Sequence, residues 1–474
     1  MGTTQSLAAV HSLTTLFGYM KVDIEGGKAS TKDIKAALEK LDRELATSAG
    51  VVKKMSLDIS ELAGRQKFTD ICNWLKPPNP SDNHISISRR QYDGTKEWLI
   101  QGTLYKTWKM ASPSSYWIDG KSGSGKSVLC SAIIDDIKDF CGSLSGVSAM
   151  LAYFYCDFRD IQKQGLYGLV SSLLYQLSAQ SESCYNILHS KYESESCRGQ
   201  HKPTETMLIQ YLKDMLALQI RTYLVIDAID ECPNSGLHSQ RESVLKLFDK
   251  LIGSHYSNMH ICITSRPEID ITNTLAPLVS QHMTLHSEHG QMDAISLYVQ
   301  SVFNSDVKFQ TWRKRDKELA ITKLAEQANG MFRWVFCQLD TLRKCPQSAI
   351  KHALKTLPHT LYDTYDHDLH KIDNSVQELA LHLFQCLAFS IRPLDIKELA
   401  AVLAVDFEAI PFPQFIPEYI PEDPAHELLS ILSSFVTINV TGIVQFSHFS
   451  VQEYLLSEHL ARGSMSQFHH ATTA

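Results

Sequence analysis

The chain has 474 residues, enough for two to four domains that each bury their own core. Hydrophobic residues make up 44% and charged residues 20%, with a formal net charge of −7, which excludes a largely disordered chain and leaves no general basic footprint for nucleic acid. The eleven cysteines stand singly with no CxxC pair, which argues for a reducing compartment and against a disulfide framework or a zinc site.

No apolar run approaches the roughly 18–20 residues that span a bilayer. No charged leader precedes an apolar core at the N-terminus, so a cytoplasmic location is expected. Met1-Gly2-Thr3-Thr4-Gln5-Ser6 fits the N-myristoylation pattern at Gly2, but the pattern is short and no polybasic segment follows as a second anchor.

The first 70 residues are expected to be a helical segment, on the pattern of residues 31–62. Ile34, Leu38, Leu41 and Leu45 recur at steps of four and three, and Met55, Ile59 and Leu62 continue the stripe after Gly50. Helices that cannot bury such stripes alone pack on each other as a plain hairpin or dock a partner protein. A linker follows at Lys76-Pro77-Pro78-Asn79-Pro80-Ser81-Asp82-Asn83, where three prolines block helix.

From about 115 to 285, short apolar runs alternate with helical patterns. The runs are Tyr116–Asp119, Leu151–Cys156, Tyr223–Asp227, His260–Thr264 and, more weakly, His282–Leu285. Between them lie Ser127–Ile137, Leu166–Leu177, Glu205–Leu218 and Gln240–Ile252. Strands without alternation are buried on both faces, so the expected fold class is α/β, a three-layer parallel sheet sandwiched by helices. Beyond about 290 strands nearly vanish. Helices fill 315–373, and 376–460 adds more helices and one hairpin, Phe435–Phe446, in which Val436, Ile438 and Val440 alternate before a turn at Thr441-Gly442. Helices followed by a hairpin predict a winged-helix domain.

Gly120-Lys121-Ser122-Gly123-Ser124-Gly125-Lys126-Ser127 matches GxxxxGK[ST] between a predicted strand and a predicted helix that begins with Val128. Glycines let the backbone N–H groups converge on an anion, and the helix N-terminus adds its positive end. Lys126 supplies a charge for the β- and γ-phosphates, and the Ser127 hydroxyl is a Mg²⁺ ligand. This is a P-loop for a purine nucleoside triphosphate. Its partner acid is Asp227, at the end of Tyr223-Leu224-Val225-Ile226-Asp227, as a second Mg²⁺ holder. Asp230 or Glu231 would polarise the attacking water. Arg266, just past the strand Ile261–Ser265, sits at the sheet edge where ligands bind and would sense a γ-phosphate.

These motifs, with others, resemble the fungal NACHT proteins of the STAND class of P-loop switches. The resemblance covers roughly 70–460. It includes Trp74-Leu75-Lys76-Pro77, Asp93-Gly94-Thr95-Lys96-Glu97-Trp98-Leu99, Tyr153–Asp160, Leu173–Leu177 and Leu224–Cys232. It continues through Thr264–Pro267, Gly330-Met331-Phe332-Arg333-Trp334, Leu357–Leu361 and His448-Phe449-Ser450-Val451-Gln452-Glu453-Tyr454-Leu455.

The resemblance implies a layout of helical N-terminal segment (1–70), pre-P-loop segment (71–112), nucleotide-binding domain (113–305), helical domain (306–375), winged helix (376–460) and C-terminal tail (461–474). A repeat sensor, usual after the winged helix, is expected to be absent. It also implies ATP rather than GTP, an ADP-closed state, and ATP-driven self-association with slow hydrolysis as a reset. Gly94 and Thr95 would border the adenine, Met331 and Phe332 the nucleotide, and His448 the ADP β-phosphate. Asp230 and Glu231 match an extended Walker B. The family carries proline where this chain has Phe332. Two other classes compete: a turnover ATPase doing mechanical work, and a scaffold with a relic nucleotide site.

Overall fold

The computed structural model describes residues 68–470 apart from 145–148, 198–201, 235–238, 255, 286–288 and 440. The stripe at 31–62, the Met1–Ser6 motif and Val440 therefore lie outside the described residues. The chain divides into two compact units between Lys76 and Pro77, with Lys191–His201 joining the first. Within that first unit, Trp74 meets Tyr192 edge-on at 5.5 Å. The second unit carries everything that follows.

The linker is shorter than the prolines suggest. Asn79 Oδ1 accepts the Ser81 N–H at 3.0 Å, and helix α1 runs Ser81–Ser88. Asn79 thus satisfies one of the orphan N–H groups of the first turn, and Asp82 places a negative charge at the positive end of the helix.

Five parallel strands form the sheet: β1 (Ser114–Asp119), β2 (Ala149–Tyr155), β3 (Arg221–Asp227), β4 (Met259–Ser265) and β5 (Gln281–Thr284). Their order is β2-β3-β4-β1-β5. Every residue of β1 and β4 is buried, as expected for strands covered on both faces. The intervening helices include α2 (Lys126–Ser143), α3 (Leu166–Gln180), α4 (Glu205–Leu216) and α5 (Gln240–Gly253). On α2, Ile133, Ile134 and Ile137 are fully buried against Tyr116, Tyr223 and Val225. Each such side chain contributes about 1.5–3 kcal/mol of burial. The registers Asp119↔Ser265 and Asp119↔Thr284 bring the C-terminal ends of β1, β4 and β5 level. Since β4 lies between β1 and β3, whatever follows β4 stands between the P-loop and the β3 acid.

The longer α-helices after the sheet include α6 (His289–Ser305), α7 (Lys314–Gln327), α8 (Phe332–Arg343) and α9 (Leu361–Leu369), the last opened by a Thr360/Asp363 capping box. Val299, Val302 and Phe303 of α6 lie in the core shared with Leu324, Trp334 and Leu339. By packing, α6 thus joins the helical segment, although the expected boundary at 305 left it with the sheet.

The winged helix contains α10 (Gln377–Phe389), α11 (Pro424–Leu432), α12 (Phe449–Leu455) and three strands, β6 (Leu394–Asp395), β7 (Val436–Ile438) and β8 (Ile443–Phe446), antiparallel in the order β6-β8-β7. At the hairpin tip Gly442 has φ +81°, and Asn439 Oδ1 accepts from the N–H groups of Thr441 and Ile443, both at 2.9 Å. β6, and a two-residue pair joining Val405–Asp406 to Gln414–Phe415, are too short to show a period in sequence. The stretch after 460 is not a bare tail up to 470, since Met465 and Phe468 are buried in the same core as Phe384 and Phe446. Among the described residues, no helix is long and apolar enough to cross a membrane.

Candidate nucleotide site

The P-loop runs from the end of β1 into α2. Gly120 N–H donates to the Ser265 carbonyl at 3.2 Å, which ties the loop's start to β4. Gly123 (φ +74°) and Gly125 (φ +91°) take left-handed conformations that a side chain would strain. Gly125 is the N-cap of α2, so the N–H groups of Lys126, Ser127 and Val128 belong to its unpaired first turn. Lys126 Nζ folds over the loop and donates to the carbonyls of Gly120 (2.6 Å) and Lys121 (3.0 Å). Burial and Arg266 lower the Lys126 pKa, while Asp230, Asp227 and Glu231 oppose that shift. The buried hydroxyls of Ser122 and Ser124 have no protein partner. Unpaired donors beside a buried cation at a helix N-terminus suit a phosphate chain.

Ser127 bonds the carboxylate of Asp227, to which Thr264 Oγ1 also donates. Burial pushes Asp227 up, against the pull of both hydroxyls and of Lys126. A hydroxyl and a carboxylate side by side at the P-loop fit a Mg²⁺ ion. Ala228 follows with φ +57°, an uncommon conformation for a residue with a side chain, and Thr264 Oγ1 accepts its N–H at 3.0 Å. That turn separates Asp227 from the paired acids Asp230 and Glu231. Asp230 takes the Arg266 N–H on Oδ1 and the Arg266 Nε on Oδ2, both at 3.0 Å. Glu231 accepts the Phe158 N–H at 3.1 Å. Burial, reinforced by Asp157 and Asp230, lifts Glu231 well above the usual carboxylate range. Arg241, unremarked in sequence, braces the turn by donating to the carbonyls of Cys232 (3.0 Å) and Asp230.

On the other side of the P-loop, Gly94 (φ +82°) faces Leu297 of α6, and Thr95 Oγ1 donates to the Tyr92 carbonyl at 2.6 Å. Tyr92 packs on Tyr298 (4.9 Å), and Tyr298 on Phe332 (5.8 Å). Phe332 lies against Gly125, so the aromatic in place of the family's proline touches the loop itself. Met331 is the N-cap of α8. Two further contacts clasp the loop: Arg333 N–H donates to the Gly123 carbonyl at 3.1 Å, and Gln291 Nε2 bridges the carbonyls of Ser124 (2.8 Å) and Gly330 (2.9 Å). Gln291 carried no motif and was not legible in sequence.

The winged helix reaches the same place. Arg266 Nη1 pairs with Glu453 of α12, and its guanidinium lies over the Phe449 ring at 4.9 Å. Phe449 packs on Phe158 at 4.4 Å. Between the acids and α12 is a cleft of about 260 Å³, lined by Phe158, Asp230, Glu231, Phe449 and Glu453 among others. His448 caps α12, its Nδ1 accepting the Ser450 N–H at 3.1 Å. Burial holds its imidazole well below the ordinary value, and Arg333, Arg266, Lys126 and Arg90 push it the same way. The structure thus gathers Gly94, Thr95, the P-loop, Asp227, Asp230, Glu231, Arg266, Met331, Phe332 and His448 into one unit. Glu453 stood in a quoted motif, but its partner Arg266 is 187 residues away in the chain.

Residues 94–266 match the family "Nephrocystin 3, N-terminal", and residues 368–468 match "GPI inositol-deacylase, winged helix domain". The chain is 24% identical over 374 residues to the vegetative incompatibility protein HET-E-1 of Podospora anserina, covering 76% of this chain and 26% of that protein. It is 32% identical over 136 residues to the azaphilone pigments biosynthesis cluster protein L of Monascus ruber, covering 27% of this chain and 28% of that protein. The chain therefore spans little more than a quarter of the length of these relatives. Among solved structures, a STAND protein with a tetratricopeptide repeat sensor from Pyrococcus horikoshii aligns at TM-score 0.38 and 11% identity, over 75% of this chain and 42% of that one. The chain thus joins an α/β domain similar to the Nephrocystin 3 N-terminal family to a domain similar to a winged helix, and over most of its length it resembles a fungal vegetative incompatibility protein.

Proposed function

We propose that the chain is a nucleotide-dependent switch, closed with ADP and opened by ATP, in which hydrolysis is a slow reset. The observation that carries this reading is the position of Arg266. Its guanidinium is shared between Asp230 and Glu453 of the winged helix, beside the P-loop lysine. A γ-phosphate next to Lys126 competes with Glu453 for that charge. Lys126 and the α2 N-terminus hold the phosphates, Ser127 and Asp227 hold Mg²⁺, and Mg²⁺ supplies charge neutralisation when bound. Asp230 is committed to Arg266, so Glu231 is the acid left to orient water.

Moving such an equilibrium from 1:99 to 99:1 takes roughly 5.5 kcal/mol of differential binding. Charge-assisted hydrogen bonds contribute about 1.5–3 kcal/mol each. Exchanging two or three contacts at Arg266 and His448 is enough. Opening frees the α12 face for self-association, and the N-terminal segment would carry the signal to a downstream protein in the cytoplasm. The likeness to a vegetative incompatibility protein suggests a self/non-self role.

The test is to identify the co-purifying nucleotide by denaturation and chromatography together with the particle mass. Bound ADP on a monomer, and hydrolysis well below roughly one turnover per second, support the switch. Sustained faster hydrolysis favours a turnover ATPase, and unchanged nucleotide content in Lys126→Ala favours the scaffold.

A further inference from the structure

A chain of hydrogen bonds leads from the P-loop to His448, and its direction is determined. Arg333, whose N–H holds the Gly123 carbonyl, places Nε 3.4 Å from Tyr365 Oη. Tyr365 Oη is 2.8 Å from Ser450 Oγ, and Ser450 Oγ is 2.7 Å from His448 Nδ1. A guanidinium N–H only donates, so Tyr365 accepts there and has its own proton for Ser450. At the other end the backbone N–H of Ser450 donates to His448 Nδ1, so Nδ1 is an acceptor and carries no proton. Ser450 Oγ therefore accepts from Tyr365 and donates to Nδ1. The imidazole proton is left on Nε2, for which no hydrogen bond is formed among the described residues.

We propose that Arg333, Tyr365 and Ser450 are positioning residues that fix His448 as a neutral Nε2–H donor aimed at a nucleotide phosphate, and thereby join P-loop geometry to the winged-helix lock. This rests on the reading of His448 as a phosphate contact. The chain starts at a cation and every link donates in one sense, so each bond polarises the next toward Nε2. Tyr365 is fully buried, and Arg333 is anchored on the winged-helix side by Ser447 Oγ at 2.7 Å. The charged groups acting on the imidazole are the cations Arg333, Arg266, Lys126 and Arg90, with Glu453 and Asp230 neutralising Arg266 and Asp368 near Arg333. A second proton on Nδ1 would have to displace two donors, and the neutral form persists through neutral pH.

The experiment measures release of a fluorescent ADP analogue from the full chain at pH 6 to 8. The wild type should release at a pH-independent rate. Tyr365→Phe removes only the hydroxyl, so the Ser450 hydroxyl can turn to accept from a protonated Nδ1, which then has one donor, the Ser450 N–H, left to displace instead of two. Release should be roughly two- to tenfold faster at pH 8 and return toward wild type at pH 6, where the imidazolium holds phosphate more strongly. Ser450→Ala should also accelerate release and serves if Tyr365→Phe does not fold. In a His448→Ala background neither substitution should add anything. If His448→Ala slows or leaves release as in wild type, the lock reading itself fails. If His448→Ala accelerates release but Tyr365→Phe and Ser450→Ala leave rate and pH profile unchanged, or act equally without His448, the relay alone is overturned.

Discussion

Single residues at the P-loop carry more than their chemistry. Gly123 has φ +74°, and a Cβ built there lies 2.5 Å from Arg333 Cβ. Gly123→Ala therefore meets two separate penalties: the left-handed backbone, about 1–2 kcal/mol, and loss of the seat between the loop and α8. We expect thermal stability to fall by several degrees and nucleotide affinity by more than tenfold, measured by calorimetry and by titration with ADP. Gly142, inside α2 with nothing near its Cβ position, is the control: Gly142→Ala should stabilise by about 0.5–1 kcal/mol and leave affinity unchanged. Lys126→Ala removes the one lysine whose Nζ spans the loop carbonyls, and should weaken nucleotide binding at least a hundredfold while the fold, judged by circular dichroism, persists. Retained affinity would contradict the phosphate role assigned to it.

At the scale of elements, α12 and the end of β4 are joined by one guanidinium. Glu453 neutralises Arg266 from the winged-helix side, and Asp230 does so from the sheet side. Glu453→Gln keeps size and hydrogen-bonding capacity but drops the charge. Arg266 then remains paired only with Asp230, and the closed arrangement loses a half-buried ion pair. The expected result is faster exchange of ADP for ATP, by roughly five- to thirtyfold if about 1–2 kcal/mol of coupling is lost, and a larger oligomeric fraction with a non-hydrolysable ATP analogue in light scattering. Exchange kinetics identical to wild type would remove Glu453 from the lock. Asp230→Asn is the contrasting variant. It takes the charge from the sheet side, so it should disturb nucleotide binding as well as closure.

At the scale of the whole molecule, how much was legible depended on whether a residue's role is local. The P-loop, Asp227 and the five strands follow from neighbours in sequence, where period, glycine spacing and apolar runs impose the conformation. Gln291, Arg241 and the Arg333–Tyr365–Ser450 chain depend on elements that meet only after folding, and no local pattern marks them. The packing of Met465 and Phe468 was missed for the same reason: two apolar residues beyond a helix show no period. His470 belongs to this last group. It is buried at 3% exposure beside Phe389, its backbone N–H bonded to the Leu455 carbonyl, while neither ring nitrogen has a partner. Burial depresses its pKa to about 4 from an ordinary value of 6.5. Between those values the unfolded chain binds a proton that the folded protein refuses, so folding stability falls as pH drops through 6.5 toward 4 and the loss is complete below 4. His448 and His260, also depressed, act in the same sense, whereas the raised Glu231 acts in the opposite one, because the folded state holds its proton first. The wild-type slope is a sum, so the informative quantity is a difference. His470→Phe should be more stable than wild type in urea, and its advantage should widen by at most about 1.4 kcal/mol per pH unit from 6.5 downward, then level off near pH 4. An advantage independent of pH would mean that packing alone, and not titration of His470, separates the two proteins.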